Sequence, residues 1–276
     1  MPFKSIKTIV LILQFLFVSF TAQAEIFQWF DEKGKQHFSD KPHQGAKTLH
    51  VDSGYSYYQV KKIYDGDTIL ISNGQKVRFL GINTPEVEGR NKLAQTGGEE
   101  AKNWLQAQLK NKKVRLEKDV EKKDKYGRLL AHVFTEDKQH MNLELVKKGF
   151  ASVNIYPPNL KYTDDLLAAE SIAEQNRLGI WQSPEYFPKQ AAGIRQGSFK
   201  GWQRVIGRIK AIRHTRKYSY LEFSENFALK IKKKSSSFPP KLADYVGKTV
   251  EVRGWINKNK NRYSMFIRHP SAIKLN

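Results

Sequence analysis

The most regular alternation of apolar and polar positions lies between residues 60 and 86, VKKIYDGDTILISNGQKVRFLGINTPE. Ile69 and Ile71 mark one strand, and Val77, Phe79 and Ile82 mark its partner. Asn73-Gly74 stands between them, and Asn-Gly flanked by alternating runs predicts a hairpin because both residues tolerate positive φ. Pairing these strands brings Asp65 and Asp67, before the first, near Arg78 on the second and Asn83, Thr84 and Glu86 just after it. Two acidic segments and a guanidinium then meet at one rim, a layout suited to metal-assisted chemistry on an anion.

Helical spacing follows three times. Residues 98–110 carry Ala101, Trp104, Leu105 and Leu109 on one face, with acids in the first turn. Residues 142–148 form a short amphipathic stretch stopped by Gly149, and 164–177 place Leu167, Ala168, Ile172 and Ala173 together before Gly179. Strands are predicted at 113–117 and 129–134. The sum is an α+β domain over 51–183, a five-stranded OB-type β-barrel with three helices. Residues 184–198, with Pro184, Pro188, Gly193 and Gly197, are expected as a linker. Alternating runs at 203–212, 218–224, 227–232, 249–255 and 263–268, with a short helix at 242–246, predict a second, smaller OB-like barrel over 199–276. Near the N-terminus, 25–50 is expected as a small β-hairpin domain turning at 31–34.

Charge sharpens this picture. The 276 residues carry a net +21, and 19 Lys and Arg against 4 Asp and Glu put +15 of it beyond residue 198. Such asymmetry points to a polyanionic partner and to nucleic acid first. Aromatics Trp202, Tyr218, Tyr220, Phe223, Trp255, Tyr263 and Phe266 interleave with Arg216, Lys217, Lys258, Lys260 and Arg262, so exposed rings could stack bases while cations hold the backbone. Cysteine is absent, which excludes disulfides and zinc-thiolate sites. The seven histidines show no metal-ligand spacing. Lys4 and Lys7, the apolar run 9–20 and Ala22-Gln23-Ala24 have the form of a cleaved signal peptide over 1–24. Export to the periplasm or medium is expected, as a monomer with no stable membrane insertion after cleavage.

Asp65-Gly66-Asp67-Thr68 or Thr84-Pro85-Glu86 alone would be weak signals. Arg78 with Gly81-Ile82-Asn83-Thr84-Pro85-Glu86, followed by Asp124-Lys125-Tyr126-Gly127-Arg128, makes a specific pattern. In these residues, and through Leu178-Gly179-Ile180-Trp181, the stretch 59–182 resembles the staphylococcal nuclease (thermonuclease) family. Residues 25–46 resemble a short domain of unknown function found behind signal peptides.

The resemblance implies a calcium-dependent phosphodiester endonuclease. It assigns the metal to the Asp67 carboxylate and the Thr84 carbonyl, with Asn83 where the family places a second aspartate. Glu86 matches the acid that positions or deprotonates the attacking water, and Arg78 and Arg128 match the arginines on the phosphate. Lys125 and Tyr126 match groups near a neighbouring phosphate, and Tyr156 matches a tyrosine of the nucleotide pocket. A second pocket tyrosine has no counterpart, Asn154 falling nearest. An amide at 83 brings no formal charge, which implies weaker calcium binding. DNA, with RNA as a second candidate, would be cut to leave 3′-phosphate ends. Two other readings stay open from the residues alone: a nucleic-acid-binding protein with a degenerate nuclease barrel, and an envelope protein that binds acidic polysaccharide.

Overall fold

The computed structural model describes residues 25–50, 56–89, 94–194, 201–233, 238, 242–260 and 262–275. The expected signal peptide lies outside them. The chain forms two compact units, divided between residues 55 and 56. Among the described residues, no helix is long and apolar enough to cross a membrane.

The first unit is a three-stranded antiparallel sheet of β1 (Glu25–Phe30), β2 (Gln36–Ser39) and β3 (Lys47–His50), with β1 central. Asp31 closes the β1–β2 turn by accepting from the Lys33 and Lys35 N–H groups, both at 2.9 Å. Trp29 lies stacked between His37 and His43. The expected hairpin is present and β3 is added to it, since four residues, KTLH, are too few to show a period.

The second unit begins with β4 (Tyr57–Asp65), β5 (Thr68–Ile71) and β6 (Lys76–Phe79). Thr68 pairs with Arg78 and Ile69 with Val77. At the turn, Gly74 takes φ +81° and the Asn73 side chain accepts from the Gln75 N–H. The short β7 (Ile82–Asn83) leads to α1 (Gly98–Leu109), then β8 (Lys113–Glu117) and β9 (Leu129–Thr135). The five long strands close a barrel in the order β4-β5-β6-β9-β8, with β6 and β9 parallel. Ile69, Ile71, Val77, Phe79 and Ile82 all fill its core with Leu105, Val133 and Leu145. Then come α2 (Met141–Lys147), β10 (Ser152–Val153), which pairs with β7, and α3 (Thr163–Gln175).

Helix α3 departs from its expected face. It buries Leu166, Ala169, Glu170 and Ala173, and leaves Ile172 59 % exposed. The tandem Leu166-Leu167-Ala168-Ala169 permits either rotation, and Glu170 sits on the buried side, where it accepts from the Val153 N–H at 2.8 Å and from Arg253 of the second barrel at 2.9 Å.

The expected linker is also more than a tether. β11 (Lys189–Gln190) pairs in parallel with Val205 and Ile206, and Ala191 and Ile194 are buried in the second core. Residues 195–200 are outside the described set. The rest is β12 (Trp202–Arg208), β13 (Ala211–His214), β14 (Tyr218–Glu222), β15 (Phe227–Lys232), β16 (Thr249–Asn259), β17 (Arg262–Ile267) and β18 (Ile273–Leu275). The predicted first strand breaks into β12 and β13 at a corner. There Ile209 is buried, donates to the Lys248 carbonyl and accepts from the Gly247 N–H. The order β13-β14-β15-β17-β16-β12, with β15 and β17 parallel, repeats the wiring of the first barrel.

The two barrels meet through six buried or half-buried charges. Arg204 grips Glu251 with two bonds of 2.8 Å and also reaches Glu174. Arg253 bonds Glu170 at 2.9 Å, Glu174 at 2.6 Å and Glu251 at 2.7 Å, and Lys274 reaches Glu174 at 3.2 Å. Both guanidiniums lie 5.4 Å from the Trp181 ring. Three cations balance three carboxylates. Burial opposes ionisation of Glu174, but Arg253 and Arg204 hold it down at about 2.

A second buried cluster packs His132, His140, Phe134 and Tyr162 together. His132 Nδ1 and His140 Nε2 share one hydrogen bond at 3.1 Å, so one ring presents N–H and the other a lone pair. Burial pushes His132 down to about 4 and His140 down to about 3.

Two outcomes follow for stability. Arg253→Met leaves three carboxylates short of a cation, a loss of roughly 3–5 kcal/mol that should lower Tm by roughly 10 °C in a calorimetric scan. An unchanged Tm would show that the network contributes nothing. The histidine pair should make stability complete above the ordinary imidazole value of 6.5 and diminish it as pH falls toward 4. The slope should reach up to about 1.4 kcal/mol per pH unit for each ring, because the unfolded chain takes up the protons first. Urea unfolding across that range measures it, and His140→Gln should flatten the slope.

Candidate active site

The rim predicted to carry chemistry is assembled by the β4–β5 turn, the β6–β7 segment and the 124–128 turn. Asp65-Gly66-Asp67 fits against Thr84 and α1 only because residue 66 lacks a side chain. A Cβ there would lie 2.7 Å from Thr84 Cγ2 and 2.8 Å from Ala101 Cβ. The buried Asp67 carboxylate accepts from the Thr84 N–H at 2.9 Å and from the Thr68 hydroxyl at 3.1 Å, and pairs with Arg78 at 3.0 Å. Thr68 in turn accepts from Arg128 Nη1 at 3.4 Å. One continuous chain, Arg78–Asp67–Thr68–Arg128, therefore brings both predicted arginines to the same place.

The two guanidiniums differ in their freedom. Arg78 also donates to the carbonyls of Phe79 (2.7 Å) and Ile82 (3.0 Å) and to Asn83 Oδ1 (3.3 Å). Arg128 is held by Asp124 through Nε at 2.7 Å, and its Nη2 bonds nothing among the described residues. Asp124 also accepts from the backbone N–H groups of Tyr126 and Arg128, so this one acid shapes the turn and aims the arginine. Burial opposes its ionisation, and the Arg128 bonds override that and lower it.

Glu86 is placed by its backbone. Its N–H donates to Gln95 Oε1 at 3.0 Å and its carbonyl accepts from the Gln95 N–H at 2.8 Å. A Cβ at residue 98 would come within 2.5 Å of the Glu86 carbonyl oxygen, so Gly98 lets this loop lie on the start of α1. Lys125 and Tyr126 are exposed in the 124–128 turn, Nζ lying 4.9 Å from the ring. Tyr156 is 40 % exposed beyond β10, with Arg268 of the second barrel 4.4 Å from its ring.

The expected metal ligands gather, in an arrangement the sequence did not specify. Asn83 turns Oδ1 to Arg78 and Nδ2 to the Thr84 carbonyl, the latter at 3.1 Å. Among the described residues, no three His, Asp or Glu side chains cluster as a metal site. The oxygens present are nevertheless of the kind a hard cation takes. Burial, then the charge of Asp67, pushes Asp65 up to about 7, a conflict between carboxylates that a cation relieves. Thr84 Oγ1 is buried without a hydrogen-bond partner. Two carboxylates, an orphan hydroxyl, an amide oxygen and a carbonyl fit a hard divalent ion.

Thr68 and Asp124 lie inside the quoted motifs but carry no assigned role there, and Gln95 lies in none of them. Only Asp124 left a local signal, since an acid opening a tight turn bonds the N–H groups that follow it.

A family model described as "Staphylococcal nuclease homologue" matches residues 76–183, and one described as a domain of unknown function (DUF4124) matches 15–56. Thermonuclease of Staphylococcus intermedius is 39 % identical over 182 residues, which cover 65 % of this chain and 99 % of that protein. Thermonuclease of Staphylococcus hyicus is 38 % identical over 129 residues, 46 % of this chain and 76 % of that protein. Endonuclease YncB of Bacillus subtilis is 40 % identical over 127 residues, 44 % of this chain and 60 % of that protein. A barrel rim of this kind with such relatives defines an enzyme that hydrolyses phosphodiester bonds. The chain belongs to the staphylococcal nuclease family.

Proposed function

We propose that the protein is an exported, calcium-dependent endonuclease that cuts DNA, and RNA as a second substrate, leaving 3′-phosphate and 5′-hydroxyl ends. The observation that carries this reading is the Arg78–Asp67–Thr68–Arg128 chain, which converges two permanent cations beside paired carboxylates. A phosphodiester is anionic, and its equatorial oxygens gain charge as water attacks. Arg128, anchored by Asp124 and carrying an uncommitted Nη2, offers a rigid fork to those oxygens. Arg78 holds the Asp67 end against the Asn83–Thr84 end, so that its own charge sits at a fixed distance from the phosphate. Glu86, on a loop clamped by Gln95, accepts the proton of the attacking water. Lys125, Tyr126 and Tyr156 receive the flanking nucleotides.

Asp67, the Thr84 carbonyl and Asn83 would hold calcium, with Asp65 beside them. When bound, calcium supplies the charge that polarises the scissile phosphate. Export rests on the N-terminal pattern of Lys4, Lys7, the apolar run 9–20 and Ala22-Gln23-Ala24.

Plasmid cleavage tests the reading. Arg128→Ala should lower kcat by on the order of 100- to 1000-fold with Tm nearly unchanged. Arg78→Ala should lose as much activity and also about 1–3 kcal/mol of stability, because buried Asp67 is left without its cation. Retained activity in both would refute the site. Asn83→Asp adds a charged oxygen and should lower the calcium midpoint by at least about tenfold in titration calorimetry. An unmoved midpoint would place residue 83 away from the ion.

A further inference from the structure

One row of side chains crosses the outer face of the second barrel. Strand pairing sets Arg213 of β13 beside Tyr220 of β14, Tyr220 beside Lys230 of β15, and Lys230 beside Phe266 of β17. Each is half-buried, whereas Leu221, Leu229, Ile231, Met265 and Ile267 on the opposite face are buried in the core. Tyr218 shares the outer face, edge-on to Tyr220 and to Phe266. Of the other candidate aromatics, Trp255 lines a cavity with Phe266 and Arg268, and three separate from this group. Phe223 and Tyr263 belong to the core, and Trp202 packs against Trp181 and Tyr186. The cations at the rings are likewise not those expected from the sequence. Arg213 lies 4.3 Å from the Tyr220 centroid and Lys230 4.1 Å from that of Tyr218.

The row does not end at the barrel edge. The exposed Arg268 guanidinium lies 4.7 Å from the Phe266 ring and 4.4 Å from the ring of Tyr156, in the first barrel. Arg213 is paired with Glu222 at 2.6 Å. Among the described residues, neither Lys230 nor Arg268 has a carboxylate partner.

Isolated cation–aromatic pairs on a surface contribute only about 0.5–1 kcal/mol each and need no function. Here two rings and two cations lie in register on the most basic part of the chain, Tyr218 and Arg268 flank them, and the row leads to a residue of the nucleotide site. Rings take unstacked bases at roughly 1–3 kcal/mol per base, while cations between them take phosphates. A duplex keeps its bases stacked inside and offers such rings nothing. Four strands spaced by about 4.8 Å make a row of roughly 15 Å, within the reach of a few nucleotides.

We propose that Arg213, Tyr218, Tyr220, Lys230, Phe266 and Arg268 form a track for single-stranded nucleic acid that feeds the strand to Tyr156 and the cleavage rim. This rests on the nuclease reading and extends it, because it makes the two barrels one substrate site and makes strand length a determinant of KM.

The test compares cleavage of a thymidine trinucleotide with cleavage of 12-residue oligothymidylate and oligouridylate by the full chain. Wild type should favour the 12-mer at least tenfold in kcat/KM, through KM. In Tyr220→Ala/Phe266→Ala that preference should fall to within about twofold, since each tenfold corresponds to about 1.4 kcal/mol and two stacking rings are removed. Loss of preference with either polymer supports the track and identifies its nucleic acid. Because Phe266→Ala removes packed ring surface, Lys230→Glu/Arg268→Glu provides a second route that removes no ring, and should raise KM for the 12-mer in the same way. A preference unchanged in both double variants overturns the track. Fluorescence anisotropy with Arg128→Ala protein should show tighter binding of the 12-mer than of a 12-base-pair duplex, and equal binding also overturns it. If wild type cleaves nothing, the nuclease reading fails, and the anisotropy arm still decides the track.

Discussion

A single buried carboxylate organises the reactive rim. Asp67 holds the Thr84 amide, the Thr68 hydroxyl and the Arg78 guanidinium at once, and these groups come from both ends of one hairpin and from the loop beyond it. A carboxylate this enclosed must have its lone pairs satisfied, so its partners cannot drift without a cost of roughly 1–3 kcal/mol. Rigidity at this point is inherited by the rest: Thr68 steadies Arg128, and Arg78 ties the Ile82 and Asn83 segment to the barrel wall. The rim is ordered before any substrate arrives, as electrostatic catalysis requires.

Around that rim the fold repeats one wiring twice. In each barrel the third and fifth strands run parallel and the others antiparallel, but the cores share no visible sequence repeat. The first barrel places chemistry where strand ends meet loops. The second places aromatic and cationic side chains across a sheet face. They are joined by charge: Glu170 and Glu174 of α3 meet Arg204, Arg253 and Lys274, and Trp181 covers both guanidiniums. Each of these ions bears a desolvation penalty, which its neighbours of opposite sign offset through attraction and hydrogen bonds.

Much of this was legible from residue order. Asn73-Gly74 marks its hairpin, alternation gives Ile69, Ile71, Val77 and Phe79 to the core, and the acid–guanidinium convergence follows from strand pairing alone. What stayed hidden depends on distant partners. Glu170 lies on the buried face of α3 because the Val153 N–H and Arg253 both receive it, so apolar periodicity alone turns the helix the wrong way. β11 is two residues long and exists by pairing with β12. His132 and His140 look scattered in the sequence, and strand β9 and the start of α2 bring them into contact. The ring–cation row of the second barrel needed strand register, which alternation does not supply.

The charge balance at α3 also bears on how the chain could have been assembled and how it can be taken apart. A nuclease barrel standing alone would keep Glu170 and Glu174 hydrated on an open flank. In this chain the second barrel acts as their counter-ion, so the appended part has become a structural ingredient of the catalytic part. A proteolytic nick between residues 183 and 201 that released it would take away the cations of two acids and uncover the Trp181 face on which Trp202 packs. The fragment left behind would lose stability at α3, a flank separate from the rim that Asp67 holds together.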